Sequence, residues 1–212
     1  MLLPILYQDK QIIVVNKPAG LMVEPDTHGN PCVLHLLSEL LQTQEGRKPA
    51  FLQNVHRLDR SVSGVLLFAR KASALKLLNA QFAERKVRKV YRAWTNSAPA
   101  KPKATLQHWH SRAERQKKAL IFGKEGGDRQ IVKLKYTILQ EKEGLFEWEI
   151  ELLTGKFHQI RAQLAHIGCP ILGDTLYGSP MPYQPNAIAL QAYSLSFFHP
   201  VSGEKMVMLS NG

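Results

Sequence analysis

The chain has 212 residues, 44% of them hydrophobic and 21% charged, with a formal net charge of +11. That length suits one well-buried domain, and the composition excludes disorder and fibrous architecture. Cys32 and Cys169 stand far apart without paired spacing, so a disulfide framework or zinc site has no support and two reduced core thiols are expected.

Near the start, Leu2, Leu3, Ile5 and Leu6 follow no positive region and are stopped by Gln8, Asp9 and Lys10. The run is too short for a signal peptide, and no later apolar run nears the roughly 20 residues of a spanning helix. A soluble, cytoplasmic protein is expected.

In chain order, Ile12 to Asn16 predicts a strand, Lys17-Pro18-Ala19-Gly20 a turn, and Leu21 to Glu24 a second strand. Asn30-Pro31 predicts the start of a helix whose stripe is Val33, Leu36, Leu37, Leu40 and Leu41, running to about Gln44. The stretch NVHRLDRSVSGVLLFAR, from Asn54 to Arg70, predicts strand, loop, strand. Lys71 to Arg85 predicts a helix with Leu75, Leu78 and Phe82 on one face, and Lys89 to Thr95 a strand.

The region from Ser97 to Gln130, with its prolines and Gly123, Gly126 and Gly127, predicts an irregular insertion or mobile arm. Phe146, Trp148, Ile150 and Leu152 alternate as a half-buried strand should. His158 to Ile167 predicts a helix closed by Gly168, and Ala187 to Phe198 a last strand. Without regular βαβ alternation, the fold class expected is α+β around a mostly antiparallel sheet, in a single domain with a basic insertion at about 97–130.

Charge is concentrated. From Arg85 to Lys118 there are eleven basic residues and one acidic residue, Glu114, so this segment carries +10 and the rest is nearly neutral. A solvated loop is the plain reading. Tyr91, Trp94 and Trp109 interleave with the charges and favour contact with nucleic acid, since bases stack on aromatic faces and phosphates pair with cations. Arg85, Arg88, Arg112, Arg115, Lys117 and Lys118 are the candidate contacts to an RNA backbone. Prolines at 99 and 102 argue against a long basic helix lying on a membrane.

Most other motifs exclude chemistry. Gly155-Lys156 and Gly123-Lys124 lack the remainder of a Walker loop, so nucleotide hydrolysis is rejected. His158 and His166 are eight apart on a helix and lack the glutamate of a zinc-protease motif; for them and for His108/His110 polar or RNA-facing histidines are the plainer reading, so no metal is expected. Ser63-Gly64 is not a nucleophile elbow.

Asp59 is one of five aspartates and stands between Arg57 and Arg60. In an extended segment Arg57 and Asp59 would share a face. A carboxylate beside arginine stays ionised, fit to act as base or nucleophile, although a salt bridge tying a loop to the sheet is the plainer reading. In the second informative stretch, LTGKFHQIRAQLAHIGCPILGD, Arg161 lies beside the helical stripe Ile160, Leu164, Ile167. A partly buried arginine there needs a carboxylate partner, for which Asp59 is a candidate.

These stretches, with NKPAG before them, KVYRAWT between and IALQAYSLSFFHP after, resemble in order and over residues 5 to 200 the RluA branch of RNA pseudouridine synthases. The resemblance implies an isomerase converting specific uridines of structured RNA, ribosomal or transfer, to pseudouridine without metal or organic cofactor. It implies that Asp59 is the catalytic aspartate and that Arg57 helps extrude or replace the target nucleotide. It further implies that Tyr91 stacks on the uracil, that Arg161 pairs with the aspartate, and that Lys89 and Ile160 are further active-site positions. A monomer is expected.

Ser61-Val62, Lys156-Phe157 and Gln191 depart from the family pattern, which bears on substrate contacts rather than chemistry. Family-like sequence begins near residue 5, so recognition is expected to rest on the catalytic domain and its insertion. The alternatives are an RNA-binding or RNA-folding factor on the same scaffold, and a base-releasing hydrolase. A hydrolase would want a second carboxylate; the nearest, Asp174, is read as a turn residue.

Overall fold

The computed structural model describes residues 3–27 and 29–211. Met1 and Leu2, at the head of the first apolar run, lie outside the described residues. In chain order the elements begin with β1 (Ile5–Gln8), β2 (Ile12–Lys17), α1 (Val33–Glu45), β3 (Gln53–Asn54), β4 (Ser63–Ala69) and α2 (Ala72–Ala83). They continue with β5 (Arg88–Thr95), β6 (Lys103–Ala113), β7 (Lys118–Phe122), β8 (Gln130–Lys142) and β9 (Leu145–Leu152). Then come α3 (Gln159–His166), β10 (Leu190–Phe198) and β11 (Lys205–Leu209). None of the helices is long and apolar enough to cross a membrane.

The chain divides into two compact units. The first comprises the residues up to Arg88 together with those from Ala192 onward. Its strand order is β1-β2-β4-β10, with β11 paired to β10 and β3 to β4. β2 and β4 are antiparallel, from Ile12 opposite Ala69 to Lys17 opposite Gly64. Both are apolar without alternation because both faces are covered: Ile12 to Val15 and Val65 to Ala69 are all buried. The core of this unit joins Ile12, Val14, Val65 and Leu67 to Ala74 and Leu78 of α2 and to Leu195 and Phe197 of β10.

α1 buries Val33, Leu37 and Leu41, one residue per turn, and ends at Gly46 with φ 70. It starts at Cys32 rather than Asn30, whose side-chain amide instead donates to Asp26 at 2.7 Å. The strand expected at Leu21 to Glu24 is reduced to one bridge, Met22 to Cys32. β1 and β11 lie where no strand was expected.

The second unit, Lys89–Gln191, has strand order β5-β9-β8-β6-β7 with antiparallel neighbours throughout. The alternation in β9 is realised: Trp148, Ile150 and Leu152 are buried, and the Trp148 indole donates to Thr95 Oγ1 at 2.8 Å. The segment from Ser97 to Gln130 corrects the expectation of an irregular arm. It forms β6 and β7, an antiparallel hairpin closed at Ala113 opposite Lys118, and β6 pairs with β8 over eight residue pairs. Polar residues mask the period because β6 alternates largely between exposed and half-buried positions, with few apolar side chains to mark an inner face.

Gly64 permits the packing of β4 in the first unit. Its φ is +119, and a Cβ there would lie 2.2 Å from the Ala192 carbonyl oxygen. Gly64→Ala is expected to destabilise the fold by about 3 kcal/mol or more, measured by denaturant unfolding.

Candidate active site

In the first unit, Arg57 and Asp59 lie on the loop between β3 and β4, not on a strand. The reason is local. After Asn54, the Val55 amide donates to the Leu67 carbonyl at 2.9 Å, and the Leu67 amide donates to the His56 ring Nε2 at 3.2 Å. A side chain thus takes the acceptor place that a continuing strand would fill, and pairing stops. Arg57 is consequently exposed and pairs with Glu24 at 3.4 Å. Leu58 is buried and pins the loop, leaving Asp59 half-buried beside it.

The loop is fastened at Arg60. Its carbonyl accepts from the Gly20 amide at 2.7 Å, and its side-chain Nε donates back to the Gly20 carbonyl at 2.9 Å. Beneath this reciprocal pair sits Lys17, 0% exposed, with Nζ donating to the carbonyls of Pro18 (2.9 Å), Leu21 (2.8 Å) and Arg60 (3.2 Å). Burial lowers its pKa to about 8, while the Asp59 charge acts in the opposite sense. The Asp59 carbonyl accepts from the Val62 amide at 3.1 Å, which closes the turn. Arg85 and Arg88 are exposed beyond α2 in this same unit, Arg85 in the left-handed region at φ 58.

In the second unit, Tyr91 is a buried β5 residue opposite Ile150. Lys89, two residues earlier, is half-buried, and burial lowers its pKa. A Cβ on Gly155 would stand 3.0 Å from its Nζ, so the glycine leaves room for the ammonium group. Ile160 and Arg161 lie on α3. The expected single apolar stripe is not what is found: Gln159 to Leu164 are all buried. The polar members are satisfied by one another, Gln159 Nε2 donating to Gln163 Oε1 at 2.9 Å and Thr154 Oγ1 to Gln159 Oε1 at 2.8 Å.

Arg161 makes a two-pronged pair with Asp174, Nε to Oδ2 at 2.7 Å and Nη2 to Oδ1 at 2.9 Å. Its guanidinium also lies 5.1 Å from the centre of the Tyr177 ring. Asp174, read from sequence as a turn residue, is both: its backbone starts the turn Thr175–Tyr177, and its carboxylate is 1% exposed. Only the spacing of an aspartate thirteen residues after Arg161 signals this pair.

The four histidines of this unit are engaged as side chains of the fold. His108 Nδ1 meets Gln163 Nε2 at 3.0 Å and its ring abuts His166; His110 Nε2 meets the Phe157 carbonyl at 2.9 Å; His158 Nδ1 meets the Tyr177 hydroxyl at 3.1 Å. Of the candidate RNA contacts, Arg112, Arg115 and Lys117 are exposed around the β6–β7 hairpin tip, and Lys118 is half-buried. The Arg112 guanidinium is held over the Phe157 ring at 4.6 Å and Lys118 Nζ over Tyr177 at 5.0 Å. Trp94 and Trp109 are half-buried rather than open platforms. Removing the buried carboxylate leaves a buried guanidinium without its counter-charge, so Asp174→Asn is expected to cost about 3–5 kcal/mol in thermal or denaturant unfolding.

Comparison with known proteins identifies the family. The family described as RNA pseudouridylate synthase matches residues 11–166. An uncharacterized RNA pseudouridine synthase of Synechocystis is 35% identical over 212 residues, covering 95% of this chain and 63% of that protein. Ribosomal large subunit pseudouridine synthase D of Neisseria meningitidis is 35% identical over 216 residues, covering 96% of this chain and 56% of its own. This chain therefore spans little more than half to two thirds of the length of such relatives. In fold, human RNA Pseudouridylate Synthase Domain Containing 4 superposes with a TM-score of 0.82 over 98% of this chain and 88% of its own, at 24% identity. The architecture is the α+β fold of pseudouridine synthases, and because the match runs through both the Asp59 loop and α3, the chain belongs to the RNA pseudouridylate synthase family.

Proposed function

We propose that this protein is an RNA pseudouridine synthase that isomerises specific uridines of structured RNA, ribosomal or transfer, with Asp59 as the catalytic carboxylate. The observation that carries the reading is the setting of Asp59: one of five aspartates, half-buried, on a loop fastened at Arg60 within the segment the family match covers. A reacting carboxylate must be held in place, and this loop is held by three separate hydrogen bonds to residue 60.

The reaction breaks the bond between uracil N1 and the sugar, turns the ring, and joins carbon 5 to the sugar, with one proton lost from carbon 5 and one gained at N1. Asp59 serves as base or nucleophile in this sequence. The target base must leave its stack. Arg57, exposed on the same loop, is suited to the space vacated by the nucleotide, and Tyr91 supplies a ring face for the uracil. Lys89, Ile160 and Arg161 are further substrate contacts on the strength of the family resemblance, Arg161 being oriented by Asp174. The whole chain acts as one catalytic domain, a monomer working in the cytoplasm; the family match draws on residues of both units.

Phosphate contact falls to the β6–β7 hairpin tip, where Arg112, Arg115, Lys117 and Lys118 crowd within seven residues, and to Arg85 and Arg88. Relatives named as ribosomal large subunit synthases make ribosomal RNA the first substrate to try.

Tritium release from RNA labelled at carbon 5 of uracil, taken from a cell lacking this protein, tests the reading directly. Wild-type protein is expected to release tritium and Asp59→Asn none, with RNA binding retained. Release by the variant would overturn the catalytic role, and salt-sensitive binding without release by either would favour an RNA-binding factor. Replacing Lys117 and Lys118 together by alanine is expected to reduce the slope of log affinity against log salt by about 1 to 2. An unchanged slope would remove the hairpin tip from the interface.

A further inference from the structure

The sheet of β6, β7 and β8 has two faces, and α3 covers only one. In register, His108 and His110 of β6, Ala119 and Ile121 of β7, and Val132, Leu134 and Tyr136 of β8 point to the α3 side. The alternate residues form the opposite face. There Phe122, Trp109 and Ile131 stand in one row across the three strands, Trp109 opposite both of the others. Ser111 and Leu120 make the next row toward the hairpin tip; Gln107 with Lys133, then Thr105 with Lys135, make the rows away from it. This face is open to solvent: Leu120 is 37% and Ile131 40% exposed, and Thr105, Gln107 and Lys135 are exposed with them. Trp109 is half-buried as the middle member of its row.

The charge around these apolar side chains selects an occupant. β6 and β7 contain no carboxylate and β8 has none before Glu141, while Lys133 and Lys135 follow Ile131 on the same face. Arg129, just before β8, lays its guanidinium on the Phe122 ring at 3.6 Å, and a Cβ on Gly126 would stand 3.1 Å from its Nη1. A ring and a backbone thus hold this cation beside the row. Carboxylates border the face rather than occupy it: Glu151 lies opposite Lys135 on β9, and Glu125 and Asp128 belong to the loop before Arg129. The centre of a protein interface is depleted of lysine. Rings flanked by lysine and arginine suit unstacked bases and their phosphates instead.

We propose that the face of β6, β7 and β8 turned away from α3 is a second RNA-binding surface, which takes a single-stranded stretch of RNA with a base against Trp109 and Ile131 and phosphates on Arg129 and Lys133. The basic hairpin tip begins at Ala113, four residues along β6 from Trp109. That distance is about 13 Å, so one strand of RNA spans both. The proposal rests on the RNA reading given above and adds to it a surface on the other side of the sheet from Arg161.

The probe is oligouridylate of about 12 nucleotides. Wild-type protein is expected to bind it with quenching of tryptophan fluorescence. Ile131→Glu, which sets a carboxylate beside Trp109 at an exposed position, is expected to bind about tenfold more weakly with unchanged circular dichroism. Wild-type affinity in that variant would overturn the proposal. So would a change from dimer to monomer in sedimentation without a change in affinity, which would give the face to a second copy of the chain. Photocrosslinking of the unsubstituted protein to the same oligonucleotide carrying 4-thiouridine needs no variant to fold. Crosslinks to Trp109, Phe122 or Ile131 are expected, and crosslinks confined to the tip, Arg112 to Lys118, would overturn the proposal. Failure here together with tritium release by wild type would leave the Asp59 reading standing; neither RNA binding nor release by wild type would overturn both.

Discussion

The antiparallel ladder between β2 and β4 is the constraint on which the first unit depends. Because Lys17 stands opposite Gly64, the chain leaving β2 and the chain entering β4 emerge at one end of the ladder. The turn after Lys17 and the loop carrying Asp59 are thereby brought together without any element devoted to the purpose. Everything that fixes residue 60 follows: the exchange with Gly20, the donation from Lys17 and the turn closed at Val62. Gly64 belongs to the same logic. A side chain there would strike the Ala192 backbone and push β4 away from β10.

The second unit solves a similar problem by a different route. α3 buries glutamines and an arginine that a surface helix would keep in water. Their partners come from the segments the helix touches: Thr154 and the Lys133 carbonyl at its start, His108 across on β6, and Asp174 beyond its end. A polar network satisfied at each member holds one geometry more firmly than an apolar face, which tolerates sliding. Directional bonds of that kind suit a helix whose arginine must stay in register with the Tyr177 ring and the Asp174 carboxylate.

What was legible in the sequence follows from which signals are local. Helices α1 and α2 and strands β2, β4, β5, β9 and β10 announce themselves by apolar period or run, and each forms within a few residues of its expected bounds. The Asp59 and Arg161 stretches were legible as ordered motifs. Some of their surroundings were not. Arg57 was expected to share a strand face with Asp59, but β3 ends at Asn54 because the His56 ring takes a ladder bond, an event no propensity records. Asp174 is paired with Arg161 because the turn after Gly173 returns the chain, and a turn residue and an ion-pair partner look alike in one dimension. Lys17 was hidden for the opposite reason: a lysine before a proline suggests solvent, and its burial depends on a loop more than forty residues away.

The charge count needed the structure most. Taken as a segment, Arg85 to Lys118 carries +10, but strands share their charges with neighbours that the count leaves out. Arg92 on β5 lies across β9 from two glutamates, at 3.5 Å from Glu147 and 3.0 Å from Glu149, and Lys86 meets Glu84 at 2.6 Å. Those cations are already answered by carboxylates, and phosphates would have to compete for them. The cations at the β6–β7 tip differ. The hairpin reverses within four residues, Lys117 takes a left-handed φ of 47, and Arg112 and Lys118 are steadied over the Phe157 and Tyr177 rings. A guanidinium held by a ring face keeps its hydrogen-bond donors and its full charge, whereas one held by a carboxylate gives up both. Phe157 and Tyr177, neither of them among the aromatics that the sequence reading assigned to base stacking, thus serve to present arginine and lysine to a polyanion.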